Sequence, residues 1–324
     1  MAQTALERQI RSQPQELDRL AKLPLRHDVV ERLAQCRRIW LVGTGTSFHA
    51  AELGGAMLYE AGRGAQAIPS MHFVNWAPPV DPRDGMVLIS HNAGEETAYA
   101  AAAYRLAKDA GIRVLAITRQ GAELPDAVET VPKETSSTYT VSYTSVLLLL
   151  ARIAHALGAE SMSPDAIAKV PGAVSDAIAD PGIDRIDAPK RLLVVLGEGP
   201  ASVTAREGAL KLREASRFPA EGYDVEYLLH GSAVPLGTDD RLVALSPPDM
   251  QGLVRAVGDA AEREGIPVSH LSEPADLPPL LAQIPLTVRL QMLALRFAEA
   301  RGQDPDRVII GAWDDPGLWA IGPR

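Results

Sequence analysis

Short apolar runs alternate along the chain with segments whose apolar residues recur at helical spacing. Four such segments stand out in the first half: IWLV (39–42) followed by a helix to about Tyr59, MVLIS (86–90) followed by a helix from Glu95 to Ala110, VLAIT (114–118), and the helical VLLLLARIAHAL (146–157). Apolar strands that alternate with helices indicate a parallel sheet covered by helices on both faces. The pattern therefore predicts an α/β fold.

The second half of the chain repeats the order of the first. RLLVVLGEGPASVTAREGALKL (191–212) matches RIWLVGTGTSFHAAELGGAMLY (38–59), and EREGIPVSHLS (262–272) matches KDAGIRVLAIT (108–118). The matching glycines are 197 − 43 = 154 and 265 − 111 = 154 residues apart. We interpret this as an internal duplication. The predicted parts are an N-terminal helical segment (1–24), a first domain (25–160), a linker (161–188) and a second domain (189–324).

Composition and charge narrow the classes of function. The chain is 46% hydrophobic and 23% charged, with a net charge of −9. It has no run of Lys or Arg, so we expect neither nucleic acid nor a membrane surface as a partner, but small molecules or copies of the chain itself. The single cysteine, Cys36, excludes an intrachain disulfide, and the polar N-terminus has no apolar signal region, which together predict a cytoplasmic protein. The seven histidines have no metal-binding spacing, so we expect no metal and no cofactor.

A glycine-broken, hydroxyl-rich turn follows the first predicted strand. Gly43 and Gly45 allow a tight turn, and the following helix directs its N–H groups and positive dipole end at the turn. Its hydroxyl donors are Thr44, Thr46 and Ser47. This combination predicts an anion site, and the hydroxyls favour a phosphomonoester. The dinucleotide motif GxGxxG is the rival, but Phe48 stands at its third glycine, and no P-loop Gly-Lys-Ser/Thr occurs. On the turn alone, a purely structural role stays open.

The run EGALKLREASRFPAEGYDVEYLLHG (207–231) contains a second group of candidate residues. Lys211 and Glu214 are three apart on a predicted helix and therefore share a face, and His230 follows before Gly231. A lysine, a carboxylate and a histidine are suited to opening a sugar ring and moving a proton between adjacent carbons. A solvated ion pair and a structural histidine are the alternatives on this run alone.

Several of these motifs together resemble the double sugar-isomerase (SIS) family. The motifs are GTGTSFHAA, HNAGEET, STYTVSYTS, EGALKLREAS and AEGYDVEYLLHG. They are similar to the isomerase half of glucosamine-6-phosphate synthase and to its stand-alone relatives, the sugar-phosphate isomerases, deaminases and fructosamine-phosphate deglycases. The resemblance covers nearly the whole chain. It implies two flavodoxin-like SIS domains, each a five-stranded parallel sheet flanked by helices, with a sugar phosphate in the first domain and catalytic groups from the second.

The resemblance also implies roles for individual residues. Glu214 matches the family's proton-transfer carboxylate, Lys211 the lysine beside it, and His230 the ring-opening histidine, which in the family's dimers comes from the neighbouring subunit. The residues expected to bind the substrate and its phosphate are Gly45, Thr46, Ser47, His91, Asn92, Ala93, Thr97 and Ser142. We therefore expect a homodimer that shares His230 across its interface.

The sequence departs from the family pattern in four respects. There is no N-terminal cysteine nucleophile, so we expect no glutaminase activity. The second phosphate turn, usually Ser-x-Ser-Gly-x-Thr, is HNAGEET, with His91 and Ala93 at the serine positions and Glu96 or Thr97 at the threonine position, depending on a one-residue shift. Two hydroxyls are lost and negative charge is added near the site, and His91 could replace the lost donors as a cation. Val141 occupies a family lysine position. The tail VIIGAWDDPGLWAIGPR has no lysine for a Schiff base, so the mechanism either lacks that imine or uses Lys211 for it.

Two classes of function are consistent with these residues. The first is a phosphosugar isomerase acting on a hexose or amino-hexose phosphate, with or without release of ammonia or an amine. The second is a non-catalytic SIS sensor, which the altered phosphate turn and the lysine-free tail would suit. Retention of Lys211, Glu214 and His230 favours the enzyme. A dinucleotide-binding protein is a third interpretation. Trp313 and Trp319 in the tail could close over the sugar or pack on the partner subunit, and simple packing is the favoured role.

Overall fold

The protein is described from a computed structural model, which covers residues 3–76, 79–92, 97–124, 127–248, 252–273 and 276–323. The chain divides into two compact units. The first-sheet unit consists of Glu16–Glu134, Val141–Ala168 and Ile309–Arg324. The second-sheet unit consists of Met1–Gln15, Thr135–Thr140 and Lys169–Val308.

Helices and strands alternate in the part of the chain that precedes residue 180. The helices are α1 (Ala5–Lys22), α2 (His27–Ala34), α3 (Thr46–Glu60), α4 (Ser70–Trp76), α5 (Ala98–Asp109), α6 (Val141–Ala156) and α7 (Pro164–Ala179). The strands are β1 (Ile39–Gly43), β2 (Ala65–Pro69), β3 (Gly85–Ile89), β4 (Arg113–Thr118) and β5 (Val128–Glu129). The predicted helix from Glu95 is observed as α5, and residues 93–96 lie outside the described residues.

The first sheet is parallel, with the strand order β2-β1-β3-β4-β5. This is the doubly wound flavodoxin-like order. All residues of β1 and β3 are buried, as expected for apolar strands covered on both faces. Trp40 and Met86 pack with Phe73 in the core on one face. The carboxyl ends of β1 and β3 lead into residues 44–47 and 90–92, so both segments lie at the edge of the sheet where ligands of such folds bind.

The second-sheet unit repeats this winding with fewer strands. Its strands are β6 (Leu193–Gly197), β7 (Ala220–Asp224), β8 (Arg241–Ser246) and β9 (Val268–Ser272). Its helices are α8 (Pro200–Ser216), α9 (Val225–Tyr227), α10 (Leu253–Arg263) and α11 (Pro279–Ala300), and a π-helical turn, Leu228–Ser232, follows α9. The parallel order is β7-β6-β8-β9. The C-terminal α12 (Pro316–Trp319) belongs to the first-sheet unit.

The second sheet has four strands in the described residues, so the expectation of two five-stranded sheets is wrong for this half. The length of the connection gives the physical reason. Between β4 and α6 the chain has the 22 residues 119–140, which include β5. Between β9 and α11 it has only the six residues 273–278, too few for a turn, a strand and a return to the helix.

The segment predicted as a linker, 161–188, contains α7 and is mainly helical. Within the described residues, none of the helices has both the length and the apolar character that crossing a membrane requires.

Candidate active site

The turn after β1 has the tight geometry that its glycines predict. Gly45 has φ 53° and ψ −129°, in the left-handed half of conformational space that side chains disfavour. A Cβ on Gly43 would lie 2.5 Å from the backbone oxygen of Ser47, so the strand and the helix approach too closely for any side chain there. The N–H groups of Ser47 and Phe48 donate within the turn, to Thr44 O at 3.0 Å and Gly45 O at 2.9 Å. Thr46 and Ser47 are the residues of this turn that line the pocket described next.

A small pocket in the first-sheet unit brings together four of the predicted binding residues. Thr46 and Ser47 come from the start of α3, His91 from the loop after β3, and Ser142 from the first turn of α6. The rest of the lining is Ala50, Ile89, Tyr143 and Val146. Four hydroxyl-bearing residues, Tyr143 among them, and one imidazole form a site for a small polar or anionic group.

Glu134 connects His91 with Ser142 behind this pocket. Its backbone N–H donates to Nε2 of His91 at 3.2 Å, and its carboxylate accepts the backbone N–H of Ser142 at 2.9 Å. Glu134 and Ser142 are both buried. Because α6 begins at Val141, the carboxylate satisfies one of the N–H groups that a helix leaves without an internal partner. A single residue, Glu134, thus makes hydrogen bonds with both His91 and Ser142.

Among the described residues, Asn92 and Thr97 are predicted binding residues that are not part of this pocket lining. Asn92 is buried, and Thr97 precedes α5 as its N-cap without a side-chain capping bond. Ala93 lies outside the described residues. Val141, at the family lysine position, is buried as the first residue of α6. The altered turn therefore contributes His91 to the pocket.

Lys211 lies between two carboxylates on α8. Its Nζ is 2.5 Å from Oε2 of Glu214 and 3.4 Å from Oε1 of Glu207. The side chains of Lys211 and Glu207 are fully buried, and that of Glu214 is 20% exposed. A solvated ion pair, one of the alternatives from the sequence, is therefore excluded. We call Glu207, Lys211 and Glu214 the α8 triad.

Burial and the three charges shift the ionisation of the α8 triad. Burial alone lowers the pKa of Lys211, but the adjacent charges of Glu207 and Glu214 raise that pKa above its ordinary value, so the amine stays an ammonium. For Glu214, burial raises the pKa above the usual range of a glutamate, Lys211 opposes this, and the second carboxylate, Glu207, adds to it. Glu214 is thus a partly accessible carboxylate with the raised pKa that proton transfer near neutrality favours.

His230 is exposed on the π-helical turn, where it is followed by Gly231 with φ 113°. Its Nδ1 lies 2.8 Å from the carbonyl oxygen of Glu226. A carbonyl oxygen only accepts, so Nδ1 carries the proton and Nε2 has a lone pair for acid–base chemistry. In the described part of the chain, His230 makes no hydrogen bond with Glu214.

The sequence analysis missed Glu207 and Glu134. Glu207 is detectable by the rule that identified the Lys211–Glu214 pair, because residue 207 is four positions before Lys211 on the same helix. Glu134 has no comparable local signal, since it acts on a residue 43 positions earlier in the sequence. Within the described ranges, no group of three or more His, Cys, Asp and Glu side chains is placed to hold a metal ion.

Trp313 and Trp319 are 72% and 55% exposed, so simple packing within the chain does not account for them, and closure over the sugar or packing on a partner subunit stays a prediction. The indole N–H of Trp319 donates to the backbone oxygen of Trp313 at 2.6 Å, so the two are connected to each other.

Comparison with known proteins identifies a domain and a group of relatives. Residues 32–153 match the SIS domain family. Over 330 residues the chain is 28% identical to glutamine–fructose-6-phosphate aminotransferase [isomerizing] of Chlorobaculum tepidum, covering 87% of this chain and 51% of that protein. The protein of the same name from Thermococcus kodakarensis is 28% identical over 312 residues, covering 86% and 52%. The chain thus spans about half the length of the curated relatives that it matches.

Solved structures share the fold along nearly the whole chain. The C-terminal domain of glucosamine-fructose-6-phosphate aminotransferase from Francisella tularensis superimposes with a TM-score of 0.82 at 21% identity, covering 94% of this chain and 98% of that one. Tagatose-6-phosphate ketose/aldose isomerase from Escherichia coli gives 0.81 at 19% identity, covering 96% and 97%. At these identities the likeness is evidence of the fold alone. The resemblance predicted from the sequence is confirmed in two respects: residues 32–153 match the SIS domain family, and the two-sheet fold is SIS-like.

Proposed function

We propose that this chain is a phosphosugar isomerase that acts on a hexose or amino-hexose phosphate by ring opening and 1,2-proton transfer. The α8 triad carries the proposal, because a buried cation fixes a partly accessible carboxylate whose pKa is raised. The pocket of hydroxyls and His91 supports a phosphate site. The names of the relatives, which include isomerising aminotransferases and a ketose/aldose isomerase, agree with this class and do not favour the sensor alternative.

In the proposed mechanism each residue has one task. Nε2 of His230 receives and returns the proton needed to open the ring. The Glu214 carboxylate removes the proton from C2 of the open aldose to give an enediolate and returns it to C1, while the proton of the O2 hydroxyl passes to O1, which gives the ketose. The Lys211 ammonium offsets negative charge that develops on the enediol oxygens. Imine formation needs a neutral amine, and the raised pKa of Lys211 opposes that form, so the proposed route has no imine on Lys211.

A product assay tests this function. The purified protein is incubated with glucose 6-phosphate, fructose 6-phosphate, glucosamine 6-phosphate and their unphosphorylated forms, and products and free ammonia are measured. We expect aldose–ketose conversion of one phosphorylated sugar, with ammonia released if that sugar carries an amine. Conversion of none of them would contradict the proposed isomerase.

The raised pKa of Glu214 predicts a pH dependence of activity. The base must be deprotonated, so kcat/KM falls as the pH falls through the pKa of Glu214. Because burial and Glu207 raise that pKa, we expect the acid limb above the ordinary glutamate value, which is about 4.3. Glu207→Gln removes one cause of the raised pKa and is expected to move the limb to lower pH. The measurement is kcat/KM from pH 4 to 8. If the acid limb of this profile lies at the same pH in wild type and in Glu207→Gln, its assignment to Glu214 is contradicted.

A homodimer that shares His230 belongs to the same proposal. His230 is exposed, and three large apolar side chains near it are also exposed: Tyr227 at 72%, Leu229 at 54% and Val234 at 85%. A second copy seated here would remove these side chains from water.

Mixing two inactive variants tests the shared site. Glu214→Gln and His230→Ala homodimers are each expected to be inactive, whereas a mixed dimer has one intact site. Random exchange of subunits should restore about one quarter of the wild-type activity, because half of the dimers are mixed and each has one working site of two. Subunits are exchanged in mild denaturant and the dimer is verified by light scattering. A mixture as inactive as its components would place both residues in one subunit's site.

We also propose that the two sheets arose by internal duplication. Gly45 and Gly199 are 199 − 45 = 154 residues apart, precede equivalent helices and have nearly the same backbone angles, φ 53° with ψ −129° and φ 53° with ψ −125°. The strand orders agree with this origin. The domain limits at 24, 160 and 188 and the cytoplasmic location stay predictions.

A further inference from the structure

The pocket has no permanent positive charge of its own. Among the described residues, its polar lining consists of Thr46, Ser47, Tyr143, Ser142 and the imidazole of His91, with no Lys or Arg. A phosphomonoester has its second pKa near 6 and is mostly a dianion at pH 7. Hydroxyl groups can donate hydrogen bonds to such a group, but they cannot neutralise it. His91 is the one lining residue whose ordinary pKa lies close to neutrality.

The contact between His91 and Glu134 is one that a neutral ring makes. Its Nε2 accepts the backbone N–H of Glu134 at 3.2 Å, and an accepting ring nitrogen carries a lone pair in place of a proton. Behind the pocket, the buried carboxylate of Glu134 holds the N–H of Ser142. A phosphate dianion that enters this arrangement meets a neutral ring and a nearby carboxylate. Uptake of a proton by the ring would replace this mismatch with a charge-assisted hydrogen bond.

We propose that His91 is a specificity-determining residue that takes up one proton when the phosphate group binds, and so makes substrate affinity depend on pH. The ring gives up its bond from the Glu134 N–H, and the protonated Nε2 donates to the phosphate. No covalent bond changes, and the proton comes from water. This inference rests on the proposed function, because it assumes that the pocket binds the phosphate of the sugar.

Among the described residues, charged and titratable groups reach His91 from at least three sides. Glu134 faces it from the segment after β5. Arg119, after β4, donates its backbone N–H to the carbonyl oxygen of His91 at 3.2 Å, and its guanidinium donates to the carbonyl oxygen of Gln120 at 3.2 Å. From α6 the titratable side chain is Tyr143, and α3 contributes only uncharged lining residues, with His49 next along the helix.

The direction of the pH effect follows from the proton uptake. Phosphate binding raises the pKa of His91, so the complex is favoured below the raised pKa and weakens as the pH rises. Between the free and bound pKa values, we expect Kd for the sugar phosphate to increase about tenfold per pH unit.

The test is calorimetric binding of fructose 6-phosphate and fructose at pH 7.5, in two buffers with different ionisation enthalpies. Glu214→Gln is used as the host chain so that the ligand is not converted. His91→Gln is the matched variant, because its side-chain oxygen can accept the Glu134 N–H and cannot be protonated. We expect uptake of about one proton for His91 and none for His91→Gln, with at least tenfold weaker binding of the phosphate by the variant at pH 6.5. Unchanged binding of fructose and an unchanged Tm would show that the variant is folded.

Three outcomes would overturn the inference. Proton uptake that persists in His91→Gln would place the proton on the phosphate. Tight binding by the host chain without proton uptake would show that hydroxyls alone suffice, with the proposed function intact. No binding of any sugar phosphate, together with no conversion in the product assay, would overturn the inference and the proposed function.

Discussion

Replacing Glu214 with glutamine is expected to lower kcat on the sugar-phosphate substrate by about 100- to 10,000-fold, with a small change in KM. Glutamine has nearly the same shape as glutamate, and its side-chain oxygen can still accept a hydrogen bond from Nζ of Lys211. The variant can therefore keep a hydrogen bond where wild type has the 2.5 Å contact between Lys211 and Glu214. What the amide cannot do is accept the proton from C2 and return it to C1. The effect should therefore be on turnover and leave the fold intact.

The control for this variant is Glu264→Gln, which makes the same chemical change at an exposed position in the second-sheet unit. It should retain wild-type kcat, and both variants should unfold at the wild-type temperature within a few degrees. Turnover by Glu214→Gln within threefold of wild type, with the control also active, would remove Glu214 from the chemistry.

Replacing Lys211 with methionine is expected to destabilise the protein by about 3–5 kcal/mol. The variant keeps the buried Glu207 and Glu214 carboxylates but removes the cation that lies between them. Two buried carboxylates without a counter-charge must protonate or draw in water, and both responses cost free energy of folding. The measurement is the free energy of unfolding from urea denaturation at pH 7.5.

A double variant separates the loss of charge balance from the loss of packing. Lys211→Met combined with Glu207→Gln has one buried carboxylate fewer and should recover part of the stability. Lys190→Met is the matched control, because Lys190 pairs with Asp239 at the surface and is 85% exposed; its loss should cost less than about 1 kcal/mol. Equal destabilisation by Lys211→Met and the double variant would contradict the charge account.

The two predictions distinguish the roles within the α8 triad. Loss of the carboxylate at 214 should affect catalysis with little effect on stability, whereas loss of the cation at 211 should affect both. If Lys211 were a catalytic amine with no structural role, its removal would leave the unfolding free energy near that of wild type.

Much of the fold was predictable because it follows local rules. Buried parallel strands are continuous apolar runs, as in IWLV and LVVL, and each ends at a glycine turn that opens a helix. The pairing of Lys211 with Glu214 followed from helical spacing alone. The number of strands in the second sheet was inferred from a family pattern, and the short connection after β9 shows where that inference was wrong.

Burial and long-range contacts could not be predicted from the sequence. The spacing of Lys211 and Glu214 suits a solvated pair as well as a buried one, and only the packing of α8 distinguishes them. The contact that a neutral His91 ring makes is with an N–H group from residue 134, which local sequence patterns do not reveal. The exposure of Trp313 and Trp319 likewise could not be predicted, because the apolar character of tryptophan favours burial.

The most direct test of the central claim is the fate of a deuterium placed at C2 of the aldose 6-phosphate that the product assay identifies as a substrate. Nuclear magnetic resonance follows the label during conversion by wild type and by Glu214→Gln. The account predicts that wild type moves the label to C1 of the ketose or releases it to water, and that Glu214→Gln leaves it at C2. Loss or transfer of the label at the same rate in both proteins would contradict proton transfer by Glu214.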